Sequence, residues 1–301
     1  MTLSSARRDA LALDALVGLS TADAFGNQAF PVDRRVVAPD FPAETWAWTD
    51  DTQMACSLVD VLRRNGRVDQ DELAGAFAAR AEDCRDYGMG ALRFLARVRG
   101  GGDWRQVSTE LFDGVGSWGN GGAMRVSPLG AYYCGDLATA AEEAAASAEV
   151  THSHPEGIAG AIAVGVAAAH AAALRGTTVA RPSAELIEAV LGYVPSGPVR
   201  SGLERATRLL DRPAHEVAGE LGNGARISAA DTVPFALWVV ATRLDDYEAA
   251  VRACADAGGD MDTTAAIVGG VIAAHHGAGC VPTAWLAARE PLPSWLPGSP
   301  G

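Results

Sequence analysis

Three observations predict an all-α fold for this chain. Apolar residues recur at helical spacing along most of its 301 residues, and no stretch alternates with the two-residue period of a strand. The composition agrees: 49% hydrophobic but only 6% aromatic, with Ala and 34 Gly supplying much of the bulk. Small side chains in that proportion suit helices packed closely on one another.

Residues 6–19 open the helical series, and Gly18 and Gly26 are expected to punctuate a turn. Residues 33–45 form a polar, proline-containing loop. Met54, Leu58, Val61 and Leu62 mark a helix over 54–64 that stops at Asn65-Gly66. Residues 69–81 start on an acidic first turn and continue as a helix, whereas 100–102 and 114–122 are glycine-rich loops. Further helices are expected over 138–150, 155–174, 183–191, 201–210, 215–221, 233–242, 246–257 and 262–276. Ordinary loop lengths then give roughly a dozen helices. The proline-rich stretch 194–198 is too short for a domain linker, so residues 1–301 read as one domain, with 291–301 as a peripheral tail.

Composition also excludes function classes. A formal charge of −13 and a pI near 4.8 argue against an extended nucleic-acid surface. All 24 basic residues are Arg; without Lys, neither Schiff-base chemistry nor a P-loop lysine is available. Cys56, Cys84, Cys134, Cys254 and Cys280 are scattered, as expected of a reduced, cytoplasmic protein without disulfides or zinc. Residues 1–8 lack the apolar core of a signal peptide, and the apolar stretches 158–174 and 265–276 read as buried helices, not membrane spans.

Two acidic clusters, Thr49-Asp50-Asp51-Thr52 and Asp260-Met261-Asp262-Thr263, each precede an apolar helical run. Each alone reads first as helix capping. Brought together by folding, four carboxylates and threonine hydroxyls would make an all-oxygen cage for hard cations such as Mg²⁺. Asp23 suits either a backing acceptor for that cage or a turn cap. The loop from Gly116 to Arg125 offers backbone N–H groups that could cradle phosphate, although a plain turn explains its glycines better. Arg125 is expected in a structural ion pair. In Thr151-His152-Ser153-His154-Pro155, His152 reads as a hydrogen-bonding group at a helix start; His275 and His276 end a helix and read as structural. Nucleophilic catalysis has no support, since no G-x-S-x-G elbow is present.

In order, these segments resemble the ADP-ribosylglycohydrolase family. The family's G-D-A-x-G element is similar to Ala22-Asp23-Ala24-Phe25-Gly26, T-D-D-T to residues 49–52, G-N-G-A-x-M-R to residues 119–125, T-H-x-x-P to residues 151–155, and G-D-x-D-T to residues 259–263. Pro282, Trp285 and Pro291-Leu292-Pro293 resemble its closing segment, and Asp83-Cys84-Arg85-Asp86-Tyr87-Gly88 a D-P-R-G-Y-G segment.

The resemblance implies an orthogonal helical bundle with two Mg²⁺ ions (Mn²⁺ as a substitute) held by Thr49, Asp50, Asp51, Asp260, Asp262 and Thr263. It implies hydrolysis at C1″ of an ADP-ribosyl group, with Asp50, Asp51 and Asp262 catalytic. Ser117, Gly119, Asn120, Gly121 and His152 would bind substrate, and Asp83 and Tyr87 would line the cleft. The partner would be ADP-ribose or an ADP-ribosylated substrate, and a monomer is expected. Many family members carry a glutamate shortly after the first element; Gly26-Asn27-Gln28-Ala29-Phe30 has none. A hydrolase of another ribosyl metabolite and a non-catalytic ADP-ribose-binding protein are the alternatives.

Overall fold

The computed structural model describes residues 3–38, 41–42, 44–176 and 182–296. Among them are fifteen α-helices and no strand; Trp46 and Arg289 form an isolated β-bridge. In chain order the helices are α1 (Ser5–Ala29), α2 (Asp50–Asn65), α3 (Gln70–Arg80), α4 (Met89–Arg99), α5 (Trp104–Gly114), α6 (Ser127–Tyr132), α7 (Leu137–Glu149) and α8 (Pro155–Ala173). They continue as α9 (Pro182–Leu191), α10 (Pro198–Ala206), α11 (Ala214–Leu221), α12 (Ala229–Arg243), α13 (Tyr247–Ala257), α14 (Met261–His276) and α15 (Thr283–Ala288). The all-α expectation holds.

The most extensive helix contact is between α1 and α14, which run antiparallel. Small residues make it possible. A Cβ added at Gly18 would lie 2.3 Å from the Ala273 Cβ and 2.5 Å from the Gly269 carbonyl oxygen; one added at Gly26 would lie 2.6 Å from the Asp262 Cα. These glycines therefore do not break the helix, as the sequence suggested. Backbone contact with α14 carries α1 ten residues beyond the expected end at residue 19, to Ala29. The end of α1 thereby comes to rest against the acidic start of α14.

Other unanticipated elements have local causes. Helices α6 and α15 have six residues each, less than two turns, and α4 buries only Phe94 and Leu95, too few to show a period. Among the described residues, α8 is the one helix long and apolar enough to cross a membrane. However, 78% of that window is buried inside the fold, as expected for a core helix.

The closing segment is not peripheral over its described part. Leu292 and Leu296 are buried with Leu16, Leu19, Ala55 and Val59, and the Arg80 guanidinium lies 3.9 Å from the Trp295 ring centre. Residues 297–301 lie outside the described residues. Just upstream, Glu290 makes a bidentate pair with Arg85 (2.7 and 2.9 Å), both side chains only 5% exposed. Trp285 stacks on Phe25 at 4.0 Å. Breaking a buried pair of this kind typically costs about 3–5 kcal/mol, because the surviving charge is left unpaired.

Two glycine substitutions should have opposite signs. Gly18→Ala should destabilise by about 1–3 kcal/mol, because the backbone of α14 blocks the new methyl. In contrast, Gly75→Ala on α3 meets nothing within 4 Å and should stabilise by about 0.5–1 kcal/mol. Urea unfolding of the two variants distinguishes these outcomes; equal effects would refute the close-contact account of α1.

Candidate metal centre and substrate cleft

Asp23 on α1 is fully buried beneath the first turn of α2. Its carboxylate accepts from the Thr49 backbone N–H (3.0 and 3.2 Å), the Thr49 hydroxyl (2.9 Å), the Thr52 N–H (3.2 Å) and the Thr52 hydroxyl (2.5 Å). The threonines of the first acidic cluster thus serve Asp23, fixing the turn from which Asp50 and Asp51 project. Thr49 is also the N-cap of α2. Capping and site building use the same residues.

The second cluster reaches the first at Asp51. Asp51 Oδ2 accepts from the Thr49 hydroxyl at 3.2 Å and from the Thr263 hydroxyl at 3.4 Å. Asp51 Oδ1 is buried without a hydrogen-bond partner. Asp262, also buried, accepts from the Thr263 N–H (2.9 Å), and Asp260 accepts from Asn120 Nδ2 (2.6 Å). Asn120 also donates to Thr232 Oγ1 on α12 (3.0 Å), which anchors the glycine loop to the second cluster. Thr49, Asp51 and Thr263 therefore meet at the junction of α1, α2 and α14, and Asp50, Asp260 and Asp262 lie near enough for their charges to act on Asp51.

The electrostatics of this junction follow from crowding acids out of water. Burial, followed by repulsion from neighbouring aspartates, pushes Asp50, Asp51 and Asp262 well above the usual carboxylate range. Burial also raises Asp260, and it raises Asp23 to about 6 in spite of its hydrogen bonds. Divalent cations would remove the repulsion and satisfy the orphaned Asp51 oxygen. The oxygen-only donor set fits hard ions such as Mg²⁺.

Across the cleft, His152 is buried and its Nδ1 lies 2.7 Å from the Thr151 hydroxyl, which also accepts from Arg125 (3.0 Å). Burial and the Arg125 charge push the imidazole down to about 3, so it is neutral at physiological pH. The glycines of the loop make room for this ring: a Cβ at Gly119 or Gly121 would lie 3.2 or 3.1 Å from His152 Nε2. The loop is therefore more than a plain turn. Ser117 accepts from the Gly119 N–H (3.2 Å) and shapes its bend.

Other residues depart from expectation. Arg125 makes no ion pair among the described residues. It is fully buried, donates to the Ser147 carbonyl (2.7 Å) and lies over the Phe77 ring at 4.6 Å. Asp83 does not join the acidic residues; its side chain is 93% exposed and 3.9 Å from Arg99. Tyr87 is buried beside them, but its hydroxyl is committed to Gln53 Oε1 at 2.8 Å.

The acid that this segment does contribute is Asp86. The Asp50 N–H donates to the Arg85 carbonyl (2.8 Å), and Arg85 and Tyr87 are both buried, so Asp86 is held exposed at the rim between them. Its charge adds to the raising of Asp50 and Asp260. Its φ of +63° explains the glycine at this place in the D-P-R-G-Y-G pattern. Sequence reasoning also passed over Phe112 and Trp118. These rings are 43% and 42% exposed and 5.2 Å apart, tilted by 46°, with Trp118 inside the glycine loop and Phe112 beside it.

Asp86→Gly should keep or raise stability, by up to about 1 kcal/mol, because a left-handed backbone suits glycine. Thermal unfolding tests this; a loss above about 1 kcal/mol would mean that the carboxylate has a structural partner.

The chain and its fold have relatives among known proteins. The family model described as ADP-ribosylglycohydrolase matches residues 4–298. ADP-ribosylhydrolase ARH3 of Mus musculus is 29% identical over 282 residues, covering 82% of this chain and 74% of that protein. An uncharacterized protein of Archaeoglobus fulgidus is 30% identical over 247 residues, covering 79% and 74%. A solved structure titled ADP-ribosylglycohydrolase-related protein complex superposes with a TM-score of 0.62 at 26% identity, over 95% of this chain and 94% of that one. The chain belongs to the ADP-ribosylglycohydrolase family.

Proposed function

We propose that this protein is a divalent-metal-dependent hydrolase that cleaves the glycosidic bond at C1″ of an ADP-ribosyl group. The observation that carries the reading is the convergence of the two acidic clusters on Asp51, whose buried Oδ1 lacks a partner. Family membership and the relatives named for ADP-ribosyl hydrolysis support the substrate class. Thr49, Asp50, Asp51, Asp260, Asp262 and Thr263 would hold two Mg²⁺ ions. Bound there, the ions would neutralise the carboxylates and supply Lewis acidity beside the ribose.

The chain's own groups divide the rest of the work. Cleavage at an anomeric carbon passes through an oxocarbenium-like state, which a surrounding of carboxylates stabilises. A water adds its oxygen to C1″ and gives its proton to a carboxylate of the Asp50, Asp51 and Asp262 group. The C1″ bond to the leaving atom breaks with both electrons on that atom, which takes up a proton. Of the three acids Asp50 retains some solvent exposure, so water arriving from bulk meets it first. Neutral His152 and the Asn120 amide oxygen would orient ribose hydroxyls, the N–H groups near Gly121 would face the pyrophosphate, and the exposed Trp118 ring would stack on adenine. Base stacking on an aromatic side chain is worth about 1–3 kcal/mol.

With Mg²⁺ present, the purified protein should release ADP-ribose from at least one of ADP-ribosyl-arginine, ADP-ribosyl-serine and O-acetyl-ADP-ribose. Asp262→Ala should lower kcat by about a hundredfold or more, whereas Trp118→Ala should act mainly on KM, by about tenfold. Release from none of the three would overturn the activity.

Metal dependence has its own pH signature. The raised carboxylates hold protons in the metal-free fold at mildly acid pH and lose them as the pH climbs, so protons compete with the cation. Because the ligand carboxylates are all raised, the Mg²⁺-induced rise in Tm should be small at mildly acid pH and grow as the pH climbs. An increment that is flat with pH would argue against a carboxylate site.

A further inference from the structure

The acidic residues at the start of α14 have a counterpart at its other end, roughly 24 Å away at 1.5 Å per residue. There, one ligand atom each from His275, His276 and Asp245 lie within 4.8 Å of one another. His275 and His276 close α14, whereas Asp245 sits in the turn between α12 and α13. His275 is buried, and its Nδ1 lies 2.9 Å from the Ala171 carbonyl on α8. A carbonyl only accepts, so Nδ1 carries the proton and Nε2 keeps its lone pair. Metal-binding histidines are commonly held this way, with the second ring nitrogen donating to a backbone carbonyl.

The His276 ring meets the His275 ring edge-on, with centroids 4.4 Å apart. Its Nε2 is 3.1 Å from the Leu244 carbonyl, to which it donates, and 3.4 Å from Asp245 Oδ1; an ion bound at Nε2 would displace that hydrogen bond and leave the proton on Nδ1. Ligand atoms around a tetrahedral zinc ion stand about 3.4 Å apart. Asp245, 81% exposed and paired with His276, lies at the solvent side of the cluster. The nearby Arg175 is engaged by Asp14 at 2.7 Å, which offsets its charge.

We propose that Asp245, His275 and His276 form a second metal site, separate from the acidic centre and selective for a borderline divalent ion such as Zn²⁺. Two imidazoles and one carboxylate match that ion and not Mg²⁺. Three protein ligands leave one position for water. An ion bound there would tie the end of α14 to the α12–α13 turn, a structural role that does not depend on the proposed hydrolysis.

The test uses the full chain, stripped with chelator and then kept in millimolar Mg²⁺ so that hard-ion sites are filled. Zn²⁺ titration by calorimetry, with metal analysis after desalting, should show one tightly held equivalent and a rise in Tm. His276→Ala and Asp245→Asn should each weaken Zn²⁺ binding by about tenfold or more, and Asp50→Asn should leave it intact. With Co²⁺ in place of Zn²⁺, the visible bands of nitrogen-and-oxygen ligation should disappear in His276→Ala. No retained zinc, or unchanged affinity in both His276→Ala and Asp245→Asn, would overturn the site and leave a simple Asp245–His276 ion pair. Loss of zinc in Asp50→Asn alone would also overturn it, by placing the ion in the acidic centre.

Discussion

Everything at the acidic junction depends on how Asp23 is held. A carboxylate buried this deeply loses several kcal/mol of hydration, and four donors from Thr49 and Thr52 offset much of that loss. They do not offset all of it, since Asp23 is still pushed up to about 6. The gain is positional. Asp23 takes both N–H groups and the Thr52 hydroxyl of the turn and shares the Thr49 hydroxyl with Asp51, so Asp51 is held at the face towards α14. The α1–α14 backbone contact at Gly18, Gly26 and Gly269 then sets how close Asp262 and Thr263 come. A larger residue on this seam would spoil the junction without touching an acid.

That dependence lets one set of residues serve both readings of the acidic clusters. A helix start carries unpaired N–H groups and a positive potential, which favours acids there for local reasons alone. Thr49 shows the local role directly, as the cap of α2. The same geometry makes a helix start a rigid mount, and two such mounts placed face to face concentrate charge that neither helix needs for capping. Asp51, raised by both burial and its neighbours, is where local benefit ends and the demand for a counter-ion begins.

Helices and clusters were legible in the sequence because periodicity and short acidic motifs are local signals. What was missed is governed by long-range contact. Gly18 and Gly26 look like helix breakers until α14 is seen against them. Leu292 and Leu296, set among prolines, look peripheral until they meet Leu16 and Val59. Asp83 and Asp86 cannot be told apart by composition; the left-handed backbone at Asp86 and the Asp50–Arg85 hydrogen bond decide which acid faces the site. Arg125, expected in an ion pair, is instead fully buried and satisfied by a carbonyl, a hydroxyl and an aromatic face, an arrangement set by distant residues and not by its own motif.

Arg125 and the acids together give the cleft a polarity. Its guanidinium lies behind His152 on one wall, still positive at neutral pH although burial lowers it to about 9, and its charge and that of Asp50 stabilise each other. His152, pressed against that charge, stays neutral and can both donate and accept in orienting a hydroxyl. The potential therefore falls from the histidine wall towards the carboxylates. In the proposed reaction, a sugar bound between them would have its ring at the neutral, hydrogen-bonding histidine and its anomeric carbon towards the carboxylates, where positive charge is tolerated best. This orientation is the one that a bond breaking with its electrons on the leaving atom requires. Because Arg125 and Asp23 are both fully buried and anchored by α7 and α2, the field is built into the packing and costs little reorganisation when the bond breaks.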